Sequence, residues 1–183
     1  MNEELELLKV VSSRLEKAGI EYMMTGSMAM ALYSVPRMTR DIDIIIQVSS
    51  AHVSGVVSLF KEDFYIDEAT VRQAVQDKAM FNIIHSESII KVDFIVRKDE
   101  DYRVEEFSRK KSIVVDGMQI WVTSPEDLIL SKIVWSKGSN SEMQLRDARY
   151  MLQVSREIDF EYLRKWAKVL GIEQLLSKAI NND

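Results

Sequence analysis

TGSMAMALYSVPRMTRDIDIII, residues 25–46, sets two acids, Asp41 and Asp43, at the head of an apolar run that reads as a buried strand. Strand interiors disfavour Asp. An ionised carboxylate taken out of water is costly unless it is paired or bound to a metal. Side chains of a strand alternate faces, so Asp41 and Asp43 point the same way, with roughly 6.6–7 Å of rise between their Cα atoms. Fifteen residues upstream of the acids, Gly26-Ser27 turns the short apolar run Ile20–Thr25 into MAMALYS, whose Met and Ala residues favour helix until Pro36 stops it.

Working outward, Glu3–Lys17 reads as an amphipathic helix with Leu5, Leu8, Val11 and Leu15 at helical spacing. Strand Asp41–Val48 is followed by helices over 51–62 and 68–76, the second capped by Asp67. Ala79–His85 and Ser88–Arg97 form an expected antiparallel hairpin. A charged segment, Lys98–Lys111, precedes a second hairpin over 112–122 with Asp116-Gly117 at its turn. From Ser124-Pro125 onward the chain reads as helices over 125–136, 142–154, 159–170 and 173–180. The expected fold class is α+β, a mixed or antiparallel twisted sheet with flanking helices and a helical C-terminal region. The expected division is a core over 1–123 and a helical region over 124–183 packed on it.

The 183 residues suffice for a real hydrophobic core, and the chain has no cysteine, which excludes disulfides, thiolate metal sites and thiol nucleophiles. The net charge of -5 argues against a broad nucleic-acid surface. Lys and Arg balance Asp and Glu, nine against nine, from Ser124 onward, so the acid excess lies in the N-terminal part. The N-terminus lacks a signal-peptide pattern and no apolar run can cross a bilayer, so the expectation is a cytoplasmic protein without membrane association. His52 and His85 lack ligand partners at metal spacing, and Trp121, Trp135 and Trp166 read as packing anchors.

Two acids on one face near a strand end can hold a divalent cation, because Mg²⁺ takes carboxylate oxygens together with substrate phosphates. Asp93, inside the apolar run IIKVDFIV, supplies a third acid, and Lys91 lies two residues earlier on the same face. Gly26-Ser27 at a strand-to-helix turn offers backbone N–H groups to an anion. A nucleoside triphosphate held there, beside metal at Asp41 and Asp43, would be poised for phosphoryl-type displacement.

Thr25-Gly26-Ser27, Asp41-Ile42-Asp43 and Lys91-Val92-Asp93-Phe94, in that order, resemble the DNA polymerase β-like nucleotidyltransferase superfamily. RMTRDIDI, Arg37–Ile44, is similar to small bacterial members. Ser124-Pro125-Glu126-Asp127-Leu128, then Lys132, then Arg146-Asp147-Ala148-Arg149-Tyr150, resembles the helical region of nucleotidyltransferase toxins of type IV toxin–antitoxin systems. The resemblance implies an Mg²⁺-dependent enzyme, with Mn²⁺ as a substitute, that moves a nucleoside monophosphate from an NTP, by default ATP, to a hydroxyl. It implies Asp41, Asp43 and Asp93 as catalytic metal ligands, Asp93 either binding the metal that activates the acceptor hydroxyl or serving as its base. Gly26 and Ser27 would cradle phosphate, Lys132 and Asp147 would approach the nucleotide, and Arg37 and Arg40 would reach phosphate or acceptor. The acceptor could be a small molecule, an RNA end or a protein, and a cognate antitoxin would be a partner. The alternative is a catalytically inactive nucleotide-binding module of the same fold.

Overall fold

The computed structural model describes residues 2–34, 41–139, 141–155 and 157–181. Pro36, Arg37 and Arg40 therefore lie outside the described residues. In chain order the elements are α1 (Asn2–Lys17), β1 (Tyr22–Thr25), α2 (Gly26–Tyr33), β2 (Asp41–Ile46), a 3-10 turn (Ser50–His52), α3 (Val53–Phe60), β3 (Phe64–Tyr65) and α4 (Glu68–Asp77). Then come β4 (Met80–His85), β5 (Lys91–Val96), α5 (Asp101–Ser108), β6 (Lys111–Val115), β7 (Met118–Val122), α6 (Pro125–Ser139), α7 (Glu142–Val154), α8 (Phe160–Leu170) and α9 (Glu173–Asn181).

The strands form one mixed sheet in the order β3-β4-β5-β2-β1-β7-β6, and the expected α+β class holds. β2 runs parallel to β5, β1 runs antiparallel to β2, and β1 meets β7 in parallel through Met24 and Val122. Alternation gives the sheet two unlike faces. On one, Ile42, Ile44, Ile46, Val92, Phe94 and Val96 are fully buried, and Phe60 of α3 rests against Phe94 at 5.6 Å between ring centroids. On the other stand Asp41, Asp43, Lys91 and Asp93, followed along the same strands by Ile45 and Ile95. Met23, Ile45 and Phe107 form a small separate apolar cluster there. The isoleucine run is thus buried because one face meets helices and the far end of the other meets α5. Its polar end carries Asp41 and Asp43.

Four readings change. The charged segment 98–111 contains a helix, α5, which buries Tyr102, Glu106 and Phe107. Phe64–Tyr65 adds a short edge strand. The helix expected over 51–62 starts as a 3-10 turn. The helix after the Gly-Ser pair begins at Gly26 itself. Among the described residues no helix is long and apolar enough to cross a membrane.

α6 is buried along most of its length because it packs among α2, α7, α8 and α9. Pro125 starts it where a missing N–H costs nothing. Ser124 Oγ accepts the Asp127 N–H at 3.2 Å, which caps the first turn. Tyr33 at the end of α2 donates to the Thr123 carbonyl at 2.9 Å, which ties α2 to the start of α6.

Candidate active site

Register brings the motif residues into one row. Thr25 of β1 pairs with Asp43 of β2, Asp43 with Asp93 of β5, and Asp93 with Asn82 of β4. Asp41 pairs with Lys91 one step toward the open end. The three acids read from sequence therefore share a face on neighbouring strands.

Gly26 is fixed in this row by two constraints. Its φ of +68° is left-handed backbone that a side chain disfavours. A Cβ there would stand 2.6 Å from Cγ of Asp43, inside its carboxylate. Gly26→Ala is expected to displace the Asp43 side chain and the first turn of α2 together, and to lose nucleotide binding. Comparing ATP affinity by calorimetry for the folded variant and the wild type checks this; equal affinities would mean that the close approach has no role. Thr25, the residue before α2, makes no side-chain cap, so the leading N–H groups of the helix are not occupied by its hydroxyl.

The electrostatics show a surplus of negative charge. Burial pushes the Asp43 carboxyl up to about 6, with Asp93 and Asp41 adding to the shift. Lys132 and Lys91 oppose it only in part. Asp93 is 7% exposed and its Oδ1 is buried with no hydrogen-bond partner. Its Oδ2 accepts from Lys91 Nζ at 2.8 Å, while Asp41 Oδ1 lies 3.8 Å from the same ammonium. The hydrogen bond to Asp93 raises the Lys91 pKa. Among the described residues no three acids or histidines are drawn into a ready-made metal cluster. In this arrangement the Lys91 ammonium bonds Asp93 and lies near Asp41. The donor set nevertheless fits a hard divalent cation: oxygen ligands on one face, one orphaned buried oxygen, and a carboxyl whose charge is under-compensated.

Across a small cavity of about 110 Å³ stand Gly26, Ser27 and Asp43 on one side and Lys132 and Gln144 on the other. Lys132 donates to Asp147 Oδ2 at 2.9 Å and to Gln144 Oε1 at 3.2 Å, and both charged partners are nearly fully buried. Lys132 and Asp147 thus form an interhelical ion pair between α6 and α7. Lys132 faces the cavity, and Asp147 holds it there. Sequence reasoning missed Gln144, Ser131 and Trp135 of this region. A signal existed: Trp135 lies three residues after Lys132 and Gln144 three before Asp147, spacings that share a helix face. Trp135 is 52% exposed, so it is not the packing anchor expected of it.

A mixed sheet with Gly-Ser at the head of a helix and three acids on adjacent strands defines a nucleotidyltransferase fold. The chain belongs to the family described as nucleotidyltransferase of unknown function (DUF6036), whose model matches residues 1–178. No curated protein sequence matches it. Among solved structures, an antigenic nucleotidyltransferase-like protein from Paracoccidioides brasiliensis is similar over 99% of this chain and 93% of its own, with a TM-score of 0.62 and 17% identity. A lincosamide antibiotic adenylyltransferase, solved with lincomycin bound, is similar over 85% of this chain and 98% of its own, with a TM-score of 0.55 and 13% identity. The antibiotic-resistance factor ANT(2″)-Ia is similar over 97% and 92%, with a TM-score of 0.58 and 12% identity. At these identities the likeness is one of fold.

Proposed function

We propose that the chain transfers a nucleoside monophosphate from an NTP to the hydroxyl of a small molecule, with Mg²⁺ held by Asp41, Asp43 and Asp93. The observation that carries this is the row Thr25/Gly26–Asp43–Asp93 across three adjacent strands. In-line displacement needs leaving group, phosphorus and nucleophile on one axis. The β- and γ-phosphates would lie at the N–H groups that open α2, with Ser27 and Lys132 beside them. The α-phosphorus would lie over Asp43, and the acceptor hydroxyl over Asp93. The acceptor oxygen then bonds to phosphorus, the bond to pyrophosphate breaks, and Asp93 holds or receives the hydroxyl proton. Bound Mg²⁺ would supply charge stabilisation for attacking and leaving oxygens.

The acceptor's approach supports a small molecule. Beyond Asp93 the same sheet face continues as Asn82, Met80 and Ile84 of β4 and Tyr65 of β3, and Tyr65 and Met80 are 70% and 49% exposed. Among the described residues, β3 and β4 place no Lys or Arg on that ledge, whereas an RNA end would need cations for its phosphates. The test is transfer of label from ATP to a cell-extract metabolite. Label at the α-phosphate should transfer and label at the γ-phosphate should leave as pyrophosphate. Transfer of the γ-label instead would make the protein a kinase and sink the proposal.

Lys91 competes with cation for Asp93 in this scheme. Lys91→Met is expected to bind Mn²⁺ about tenfold tighter than the wild type, since one opposing charge within a few ångströms is removed. Mn²⁺ titration followed by electron paramagnetic resonance reads this without turnover. Unchanged affinity would show that the ammonium does not contest the metal position.

A further inference from the structure

The small cavity at Gly26 and Asp43 opens into a cleft of about 580 Å³, and Thr25, Ile95, Ser131 and Trp135 line both. Ile45 and Ile95 are part of its wall, each two residues beyond an active-site acid on the same strand face. Val134 and Trp135 of α6 line it from the helical side. The Trp135 indole is half exposed, while Trp166 is 8% exposed. The buried charges of the cleft are already satisfied. Arg103 donates to Glu106 Oε2 at 2.8 Å and to Ser131 Oγ at 2.9 Å, and Ser131 donates to Glu106 Oε1 at 2.6 Å. A ligand there meets apolar side chains and an aromatic face, with Arg97 and Lys98 farther out.

We infer that this cleft takes the nucleoside half of the nucleotide and that Trp135 is the stacking platform for its base, an inference that rests on the nucleotidyl-transfer reading above. The reaction axis of that reading runs across the strands, from β1 through Asp43 to Asp93. The nucleoside is the remaining large substituent on the α-phosphorus, so it must leave the axis sideways, along the strands. One direction leads to the charged rim of Asp41 and Lys91. The other leads to Ile45, Ile95 and Trp135. A nucleobase is a flat ring with two apolar faces and gains most from an aromatic surface in the second direction. The acceptor is excluded from the same space because its hydroxyl must arrive on the β4 side of Asp93. Stacking is tolerant of base identity, since every base has a π-face. The cleft should therefore favour purines over pyrimidines by ring size while discriminating weakly between ATP and GTP.

The test is calorimetric binding of ATP and of inorganic tripolyphosphate, each with Ca²⁺ to prevent turnover, to the wild type, Trp135→Ala and Trp135→Phe. Trp135→Ala should weaken ATP binding about tenfold or more and leave tripolyphosphate binding unchanged. Trp135→Phe should recover most of the loss. Because the indole is half exposed, the alanine variant should keep its fold, checked by its thermal midpoint. Equal ATP affinity for wild type and Trp135→Ala would overturn the inference and leave the phosphate cradle standing. Equal weakening of both ligands would overturn it too, by showing that Trp135 acts on the architecture of the site. A wild type that binds neither ligand would overturn the nucleotidyl-transfer reading itself, and this inference with it.

Discussion

Asp43→Asn is expected to abolish nucleotidyl transfer while making the metal-free protein more stable at neutral pH. The activity loss follows from position. Asp43 is the middle member of the row, with Thr25 of β1 and the adjoining Gly26 on one side and Asp93 of β5 on the other. Its charge would hold the cation at the reacting phosphorus, and losing such a group costs about 10²–10³-fold or more in rate. The stability gain follows from its neighbours. Burial, then Asp93 and Asp41, raise its carboxyl from 3.8 to about 6. A group whose folded pKa lies above its unfolded one binds its proton better in the folded state. Folded-state stability is therefore lost as pH rises from about 4 through 6, by roughly 2–3 kcal/mol when the shift is counted at 1.36 kcal/mol per unit. Asn keeps the shape without the charge and escapes that loss. Urea midpoints in EDTA should favour Asp43→Asn at pH 7.5 and converge with the wild type near pH 4. Saturating Mg²⁺ should raise the wild type and not the variant. A variant less stable than the wild type at pH 7.5 would mean that the carboxylate is supported by its surroundings, and the metal assignment would fail.

The part of the fold that holds the candidate site was legible because its signals are local. Asp41 and Asp43 share a face by strand alternation alone, and Gly26-Ser27 announces a turn into a helix. That Asp93 should join them needed only the cost of a lone acid in an apolar strand. The register that sets Asp43 beside Asp93, and the parallel pairing of β2 with β5, depend on contacts fifty residues apart that no local pattern encodes. α5 was hidden for a different reason. Its buried face includes Glu106, 1% exposed, paired with Arg103 and hydrogen-bonded by Ser131, so a helix packing inward looked like a solvated charge run. Lys132 and Asp147 were flagged by the resemblance alone, and their burial was not legible for the same cause: each is buried by virtue of the other. Trp135 erred in the opposite sense, since an apolar helix suggests that every large side chain on it is inside. In each case the miss falls where polar groups were internalised in pairs or an aromatic was left facing a cavity, and those are the places that build a site.

Asp127→Ala should be the most destabilising single change away from the acids, because Asp127 joins three helices. Its side chain is fully buried at the start of α6. Oδ2 accepts from Ser124 Oγ at 2.6 Å and from Arg109 Nε at 3.1 Å, and Oδ1 accepts from Tyr162 of α8 at 2.6 Å. The Arg109 guanidinium, just past α5, also lies 3.8 Å above the Tyr162 ring and 3.3 Å from Glu126. Burial and the bond to Asp127 hold the Tyr162 hydroxyl well above its ordinary pKa, so it stays a donor at any working pH. Truncation to Ala would remove the acceptor of the Tyr162 and Ser124 hydroxyls and one of the two acids paired with Arg109 among the described residues. Losing three hydrogen bonds to a buried carboxylate, each counted at about 1.5 kcal/mol, costs about 3–5 kcal/mol. At a typical urea slope that is a fall of roughly 1–3 M in the unfolding midpoint. Asp127→Asn should cost less, since it can still accept from Tyr162, and Tyr162→Phe should cost about 1 kcal/mol. The Asp127→Ala/Tyr162→Phe pair should then be clearly non-additive. Function enters through the helix itself. Ser131 and Lys132 follow Asp127 by four and five residues, so the network that fixes the first turn of α6 also fixes the cation facing Asp43. ATP affinity of the folded fraction of Asp127→Asn should fall with stability. Unaltered affinity in a destabilised variant would separate the network from the site and confine it to holding the helices together.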